Sequence, residues 1–196
     1  MLRSDPRKNL LRLLESYHPI NKKDEEQAHK ITAFIETNDN CFERSNLKGH
    51  LTGSAWLTDP EGRCVLLTHH KKLNKWLQLG GHADGNPDLL LVALREAREE
   101  SGLQDIRALS NEIFDVDIHF IPALEAAPSH FHYDIRFALQ SESSHPISVG
   151  HESHGLAWVE IGQIEGVTAE KSLLRMAQKW LSFRPVPAGT VGRRLC

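Results

Sequence analysis

The segment that most constrains the fold is a glycine pair followed by one clearly delimited helix. Gly80-Gly81 ends a short apolar strand pattern, and Asn86 then offers a good N-cap side chain. Pro87 suits the first helical position, because its φ is already helical and its missing N–H loses no hydrogen bond there. Gly102 is typical of a helix end. The pattern predicts a strand, a glycine turn and a helix over about 87–101, a succession typical of chains that mix strands and helices.

The predicted helix concentrates carboxylates on one side. Glu96, Glu99 and Glu100 are neighbours there, because side chains three and four positions apart lie together on a helix. The side expected to face the core is apolar or small: Leu90, Leu94, Ala97 and Ser101. Like charges repel unless cations compensate them, and hard oxygen ligands suit Mg²⁺ or Mn²⁺. The competing interpretation is a solvated helix face on which Arg95 and Arg98 pair with the glutamates.

The rest of the chain alternates between helical and strand patterns. The first forty residues read as helical, with a second helix over about 23–37. Strands are expected at about 50–57, 63–68, 76–79, 112–121, 130–140 and 156–159, and a final amphipathic helix at about 168–182. This order predicts an α/β or α+β class with a mixed sheet. We divide the chain into an N-terminal helical extension (1–45), a main domain (46–183) and a C-terminal tail (184–196).

Composition and charge argue against several classes of partner. The 196 residues carry a formal net charge of −3 without a long basic run, so we expect neither a nucleic acid polymer nor an anionic membrane as partner. No apolar stretch approaches the roughly 20 residues that span a bilayer. The N-terminus lacks the apolar core of a signal peptide, so we expect a cytoplasmic protein. The N-terminal helices could build a homodimer.

Two strand patterns gather polar residues on a shared face. In the strand 130–140 every second residue is polar and the residues between them are apolar. The polar residues are His130, His132, Asp134 and Arg136. The strand 112–121 repeats the pattern: Asp115, Asp117 and His119. The short connection predicts an antiparallel pair, which merges the two polar faces. Three interpretations stay open: a face wetted by solvent, a recognition surface where Arg136 or a histidine meets phosphate, or a second metal site of His and Asp.

The glycine pair and the glutamate helix together resemble the Nudix box. The second half of that motif stands complete as Arg95-Glu96-Ala97-Arg98-Glu99-Glu100-Ser101-Gly102-Leu103, and the spacing from Gly81 also matches. The flanking strands extend the resemblance over roughly 49–165. Pro87 stands where the family has a glutamate, and Asp88 could substitute for that glutamate in part. The resemblance implies a Nudix-type α/β/α sandwich with a mixed β-sheet, which carries here an N-terminal helical extension.

The same resemblance implies roles for the motif residues. Glu96, Glu99 and Glu100 would bind Mg²⁺ or Mn²⁺, and the backbone carbonyl near Gly80 would complete the coordination. Arg95 would orient one of the carboxylates. Water would attack one phosphorus in line while the other phosphoryl group leaves. The implied activity is metal-dependent hydrolysis of a phosphoanhydride bond in a nucleoside diphosphate linked to another moiety.

The general base and the substrate contacts are less closely tied to the motif. A helix glutamate such as Glu99 is one candidate base, and Glu152, in a loop shortly before a tryptophan-containing strand, is the other. His82 directly follows the glycine pair, which places it near the phosphates in the motif geometry. His132 and Arg136 of the polar face are further candidate substrate contacts. The expected partner is therefore a small, nucleotide-type molecule.

Two other functions occur on folds of this kind. A non-enzymatic nucleotide sensor usually shows eroded carboxylates or an added DNA-binding domain, and the sequence shows neither. A prenyl diphosphate isomerase would need a catalytic cysteine in its cleft, whereas Cys64 lies in an apolar strand pattern. Both remain alternatives to the hydrolase.

Overall fold

The computed structural model describes residues 5–71, 73–123, 128–143, 147–148 and 153–183. Its helices are α1 (Arg7–Glu15), α2 (Lys22–Thr37), α3 (Leu89–Ser101) and α4 (Lys171–Phe183), with a 3₁₀ turn at Ile161–Gly166. Its strands are β1 (Gly49–Thr58), β2 (Cys64–His70), β3 (Lys75–Leu77), β4 (Leu79–His82), β5 (Ile106–Ala108), β6 (Asp115–Ile121), β7 (His130–Ser141) and β8 (Ser153–Glu160). The strand expected at 76–79 is divided into β3 and β4, and β5 has no counterpart in the sequence prediction.

The strands of the described residues form one mixed sheet with β1 near its centre. β1 runs parallel to β7 and antiparallel to β2 and β4. β6 pairs antiparallel with β7, which confirms the pairing predicted from the sequence. The register places Thr52 of β1 opposite both Asp134 of β7 and His82 of β4. Residues distant in sequence therefore meet on the same part of the sheet.

Helices cover both faces of this sheet. On one face, α3 packs with α1 and α2 over a buried cluster that includes Leu51, Val92 and Ile135. On the other face, α4 packs over a second cluster that includes Trp56 and Met176. The predicted α/β/α sandwich with a mixed sheet is thus confirmed.

The start of α3 differs from the sequence prediction. Asp88 is the N-cap residue, and its carboxylate accepts a hydrogen bond from the Leu91 N–H at 3.1 Å. The Asn86 side chain instead accepts from the Asp88 N–H at 3.0 Å. Helix α3 therefore begins at Leu89, beyond Pro87. Gly102 ends it with a φ of 74°, a left-handed conformation that favours glycine.

The buried side of α3 is also rotated relative to the prediction. Its buried residues are Leu89, Val92, Ala93, Ala97 and Ser101. Leu90 and Leu94, expected to face the core, are only partly buried. Because residues four apart stack on one helix face, Glu96 and Glu100 continue the row that starts at the buried Val92. This rotation points two of the glutamates toward β4.

The N-terminal helices share the core with the sheet. The ring of Phe34 on α2 stacks on Tyr133 of β7 with 3.9 Å between centroids. The Gln27 side chain accepts a hydrogen bond from the Ile118 N–H of β6 at 3.0 Å. These contacts dock α2 along the edge strand β6. Among the described residues, no helix has the length and apolar character needed to cross a bilayer.

Candidate active site

The glycine pair of β4 lets the carboxylates of α3 approach the strand backbone. A Cβ on Gly81 would lie 2.4 Å from the carboxylate carbon of Glu96, a distance that only the absence of a side chain permits. The Gly80 N–H donates a hydrogen bond to Glu100 Oε1 at 2.8 Å. Both glutamates are therefore held against β4.

Arg95 connects Glu96 to the end of β4. Its Nη2 donates to Glu96 Oε1 at 2.5 Å and to the His82 carbonyl oxygen at 3.2 Å. Burial raises the pKa of Glu96 above its ordinary value, and the adjacent Arg95 lowers it in part. Arg95 thus holds the Glu96 carboxylate against the end of β4, and the orienting role that the resemblance implies stays a prediction.

Glu99 lies apart from the other two glutamates. Its side chain is 64% exposed and its carboxylate lies 4.0 Å from Arg95 Nε. By comparison, the Glu96 side chain is 17% exposed. Two of the three expected metal ligands thus converge on β4, while the third points toward solvent.

The donors at this site fit a hard divalent cation. Glu96, Glu99 and Glu100 offer carboxylate oxygens, and Arg95 is the cation paired with this group. The approach permitted by Gly81 leaves the Glu96 carboxylate against the backbone without an intervening side chain. Carboxylate and carbonyl oxygens are the ligands that Mg²⁺ and Mn²⁺ prefer.

The loop between β4 and α3 is held without the glutamate that the family has at position 87. Arg44 donates two hydrogen bonds to the Asp84 carboxylate, at 2.5 and 2.6 Å. The Gly85 N–H donates to the Phe42 carbonyl oxygen at 3.0 Å. Asp88 caps α3, so its carboxylate is engaged in stabilising the helix start.

The charged residues on the polar face of β6 and β7 are buried, which excludes the interpretation that solvent wets this part, whereas His119, His130 and His132 are partly exposed. Arg136 is 0% exposed. Its guanidinium donates to Asp134 at 2.7 Å, to Asp115 at 3.1 Å and to Asp117 at 3.4 Å. Arg136 was a candidate substrate contact, and that prediction is wrong, because every side of its guanidinium faces a protein carboxylate or His119. The negative charge of Asp134, Asp115 and Asp117 requires a cation in this position.

Residues of α4 complete this buried network. Arg175 Nη2 and Lys179 Nζ each donate to Asp115 at 2.7 Å. Lys179 also pairs with Asp24 of α2 at 2.9 Å. The charges therefore link α2 and α4 to the sheet, and their role is to hold the layers together.

Four histidines gather at the end of this face, on β1, β4 and β7. The Nε2 atoms of His82 and His132 are 3.3 Å apart, and those of His130 and His132 are 3.1 Å apart. The His50 ring lies 4.8 to 5.0 Å, between centroids, from the other three rings. Burial lowers the pKa of His82 to about 4 and that of His132 to about 3, so both rings are neutral at neutral pH.

His50 is the residue of this cluster that sequence reasoning did not single out. It is 4% exposed, and it shares one face of β1 with Thr52 and Ser54, which follow at every second position. The alternation of these polar residues along β1 could have indicated that His50 lies on a polar face of the sheet. Which residues it meets there depends on the register of β1 with β7, which pairs His50 with His132. Glu152, the candidate loop base, lies outside the described residues.

Comparisons with known proteins identify the family to which this fold belongs. A model of the NUDIX domain matches residues 49–179, a span that begins at the first residue of β1 and ends within α4. No curated protein matches the chain significantly. The match covers the sheet, α3 and most of α4, and the two N-terminal helices precede it.

Several solved structures have similar folds. An Ap4A hydrolase from C. elegans is 15% identical with a TM-score of 0.56, and the match covers 68% of this chain and 96% of that one. A NUDIX family hydrolase from Clostridium perfringens is 27% identical with a TM-score of 0.51, covering 68% and 97%. A MutT protein from Methanosarcina mazei is 15% identical with a TM-score of 0.52, covering 72% and 99%.

Proposed function

This chain belongs to the Nudix hydrolase family, and from that premise we propose that it hydrolyses a phosphoanhydride bond with Mg²⁺ or Mn²⁺ bound by the carboxylates of α3. The observation that carries the proposal is the packing of Glu96 and Glu100 against Gly81 and Gly80. The glycine at position 81 leaves space for the Glu96 carboxylate beside the strand backbone, while Gly80 packs against Ser54 and offers its N–H to Glu100. A solvated helix face would not place two carboxylates against β4.

The substrate class proposed is a nucleoside diphosphate linked to another moiety. One structural neighbour is named for the hydrolysis of Ap4A, a dinucleotide, and that name supports a nucleotide-type substrate. His82 and His132, the predicted histidine contacts to substrate, contact each other on the face of β4 opposite Glu96, so they would meet a group of the substrate apart from the metal-bound phosphates.

Glu96, Glu99 and Glu100 would hold the cation, with the Gly80 carbonyl as a further ligand. A divalent cation bound there would stabilise the negative charge on the phosphate oxygens and lower the pKa of an attacking water. Arg95 fixes the Glu96 carboxylate through a 2.5 Å hydrogen bond, which restricts its rotation. Glu99 is proposed as a general base, because its exposed carboxylate can turn toward a water in the cleft. Glu152 is the alternative base.

A substrate panel with metal controls tests this function. The purified full chain is incubated with dinucleoside polyphosphates, nucleotide sugars and nucleoside triphosphates, with Mg²⁺ and Mn²⁺ in parallel, and released phosphate or nucleoside monophosphate is measured. Glu99→Gln should lower kcat by about 100-fold or more, the usual contribution of a general base. Glu36→Gln, an exposed glutamate on α2, is the matched control and should leave kcat unchanged.

Two results would refute the proposal. One is the absence of turnover on every member of the panel together with tight nucleotide binding, which would identify a sensor. The other is full activity of a Glu96→Gln/Glu99→Gln/Glu100→Gln variant, which would place the metal elsewhere. Unfolding temperatures of the variants, measured alongside, separate lost catalysis from lost folding.

A further inference from the structure

The histidine cluster brings four imidazoles together from three strands. The parallel pairing of β1 with β7 sets His50 beside His132, and His130 precedes His132 on the same face of β7. The antiparallel pairing of β1 with β4 adds His82. One nitrogen each of His50, His130 and His132 lies within 4.8 Å of the others.

The separations between the ring nitrogens match those around a tetrahedral metal ion. Zn²⁺ binds imidazole nitrogen at about 2.0–2.1 Å, so two nitrogens of a tetrahedral site lie about 3.3 Å apart. The observed Nε2 separations are 3.3 Å for His82 and His132 and 3.1 Å for His130 and His132. His132 Nε2 therefore already stands at this spacing from the Nε2 atoms of both His82 and His130, and a nitrogen of His50 lies within 4.8 Å of those of His130 and His132.

Hydrogen bonds between neutral rings do not account for this arrangement. His130 Nδ1 lies 2.9 Å from the Pro128 carbonyl oxygen, which can only accept, so the proton of a neutral His130 ring is on Nδ1. His130 Nε2 then presents a lone pair, and His132 Nε2 would have to donate to it. The same His132 nitrogen lies 3.3 Å from His82 Nε2 and carries a single proton, so it makes only one well-directed bond.

The contact between His130 and the Pro128 carbonyl oxygen is also typical of a metal-binding histidine. A metal-binding histidine usually donates its other ring N–H to a carbonyl or carboxylate, which fixes the tautomer and directs the free lone pair at the metal. His50 adds an independent observation, because both of its ring nitrogens are buried and neither meets the geometry of a hydrogen bond with a described group. Buried polar atoms without partners in a native structure indicate an ion or water that satisfies them.

We propose that His50, His130 and His132, with His82 as the fourth ligand, bind a divalent cation that prefers imidazole, of the Zn²⁺ class, at a site separate from the glutamates. Nitrogen ligands suit Zn²⁺, whereas Mg²⁺ requires oxygen. The two sites lie on opposite faces of β4, because neighbouring residues of a strand point to opposite sides and Gly81 faces Glu96. The cation would connect the ends of β1, β4 and β7.

Zn²⁺ binding to the untagged full chain tests the site without reference to activity. The protein is stripped with a chelator, and Zn²⁺ is titrated by calorimetry, with Co²⁺ as a spectroscopic probe of tetrahedral nitrogen coordination. We expect about one equivalent of bound Zn²⁺, a Co²⁺ spectrum of the tetrahedral type and a higher unfolding temperature with Zn²⁺ than without. His132→Ala removes a proposed ligand, so it should weaken binding by about 100-fold or more, since even the loss of a group that only orients a ligand costs roughly 10- to 100-fold.

Matched variants make the result decisive. His29→Ala, an exposed histidine on α2, and Glu96→Gln/Glu99→Gln should both bind Zn²⁺ like the wild type. His130→Ala, at the partly exposed start of β7, repeats the test in a variant less prone to misfolding than one at His132, and circular dichroism checks both folds. The proposal is overturned if folded His130→Ala binds Zn²⁺ as tightly as the wild type. It is equally overturned if the glutamate variant alone loses the metal, or if the wild type binds none.

Discussion

Replacing Arg136 by methionine separates a structural role of this side chain from a substrate-binding role. Methionine keeps much of the aliphatic stem and removes the guanidinium. Of the carboxylates around Arg136, Asp115 retains Arg175 and Lys179. Asp134 loses its only guanidinium partner among the described residues, and His119 stays 3.8 Å away. The cost of the substitution therefore falls mainly on Asp134.

The size of that cost follows from the burial of Asp134. Its side chain is 3% exposed, and without Arg136 its charge is left with hydrogen bonds from Thr52 and Ser54 at 2.7 Å and from Gln78 at 3.1 Å. Removing one partner of a buried ion pair destabilises a protein by about 3–5 kcal/mol. For a chain of this size each kcal/mol lowers the unfolding temperature by about 2–4 °C, so a decrease of about 6–20 °C is expected.

Chemical denaturation at neutral pH measures the effect, with the midpoint and slope fitted separately. Arg63→Met is the matched control, because the Arg63 side chain is 61% exposed and its loss should change the free energy of unfolding by less than about 0.5 kcal/mol. In an Asp134→Asn background the orphaned charge is absent, so Arg136→Met should cost about 0.5–3 kcal/mol less than in the wild type. If the Arg136→Met variant has unchanged stability and a raised KM, this reasoning is refuted, and Arg136 is again a candidate substrate contact.

Three further predictions concern α3, β4 and the histidines. Gly81→Ala places a Cβ 2.4 Å from the Glu96 carboxylate carbon, so it should displace that carboxylate and weaken Mn²⁺ binding, measured by electron paramagnetic resonance, while the chain still folds. Asp88→Ala removes the N-cap of α3 and should destabilise the protein by about 1 kcal/mol in denaturation, whereas an unchanged midpoint would mean that another group caps the helix. Because burial lowers the pKa of His132 to about 3 and that of His82 to about 4, against an ordinary 6.5, the unfolded chain binds more protons below pH 6.5. The metal-free protein should therefore lose stability as the pH falls from about 6.5 toward 4, and His132→Asn should flatten that profile.

The elements that the sequence predicts well are those whose signals are local. The end of α3 at Gly102 follows from a glycine that can adopt a φ of 74°. The antiparallel pair of β6 and β7 follows from two alternating patterns joined by a short connection. The association of β4 with α3 follows from glycines at fixed spacing from the glutamates. In each case the residues that determine the structure lie within one short stretch of the chain.

The elements that the sequence predicts poorly depend on partners far along the chain. Helix α3 has two apolar rows, and only its packing against β1, where Leu89 and Val92 approach Gly53, decides that Leu90 and Leu94 lie at the margin. Likewise, polar alternation is the usual sign of a solvated sheet face. On β6 and β7 that sign was misleading, because α4 contributes cations that make burial of the carboxylates possible.

The short strand β4 positions residues of both candidate sites. Gly80 offers its N–H to Glu100, Gly81 makes room for Glu96, and His82 turns to the opposite face, where the other imidazoles lie. A shift of β4 by one residue would exchange these faces and bring the imidazole of His82 to the position of Gly81, against Glu96. The antiparallel register of β4 against β1 prevents that shift, since Thr52 pairs with His82 and the Gly80 backbone packs closely against Ser54. The order Gly-Gly-His thus encodes a carboxylate site on one side of the sheet and an imidazole site on the other, and the backbone pairing keeps the two apart.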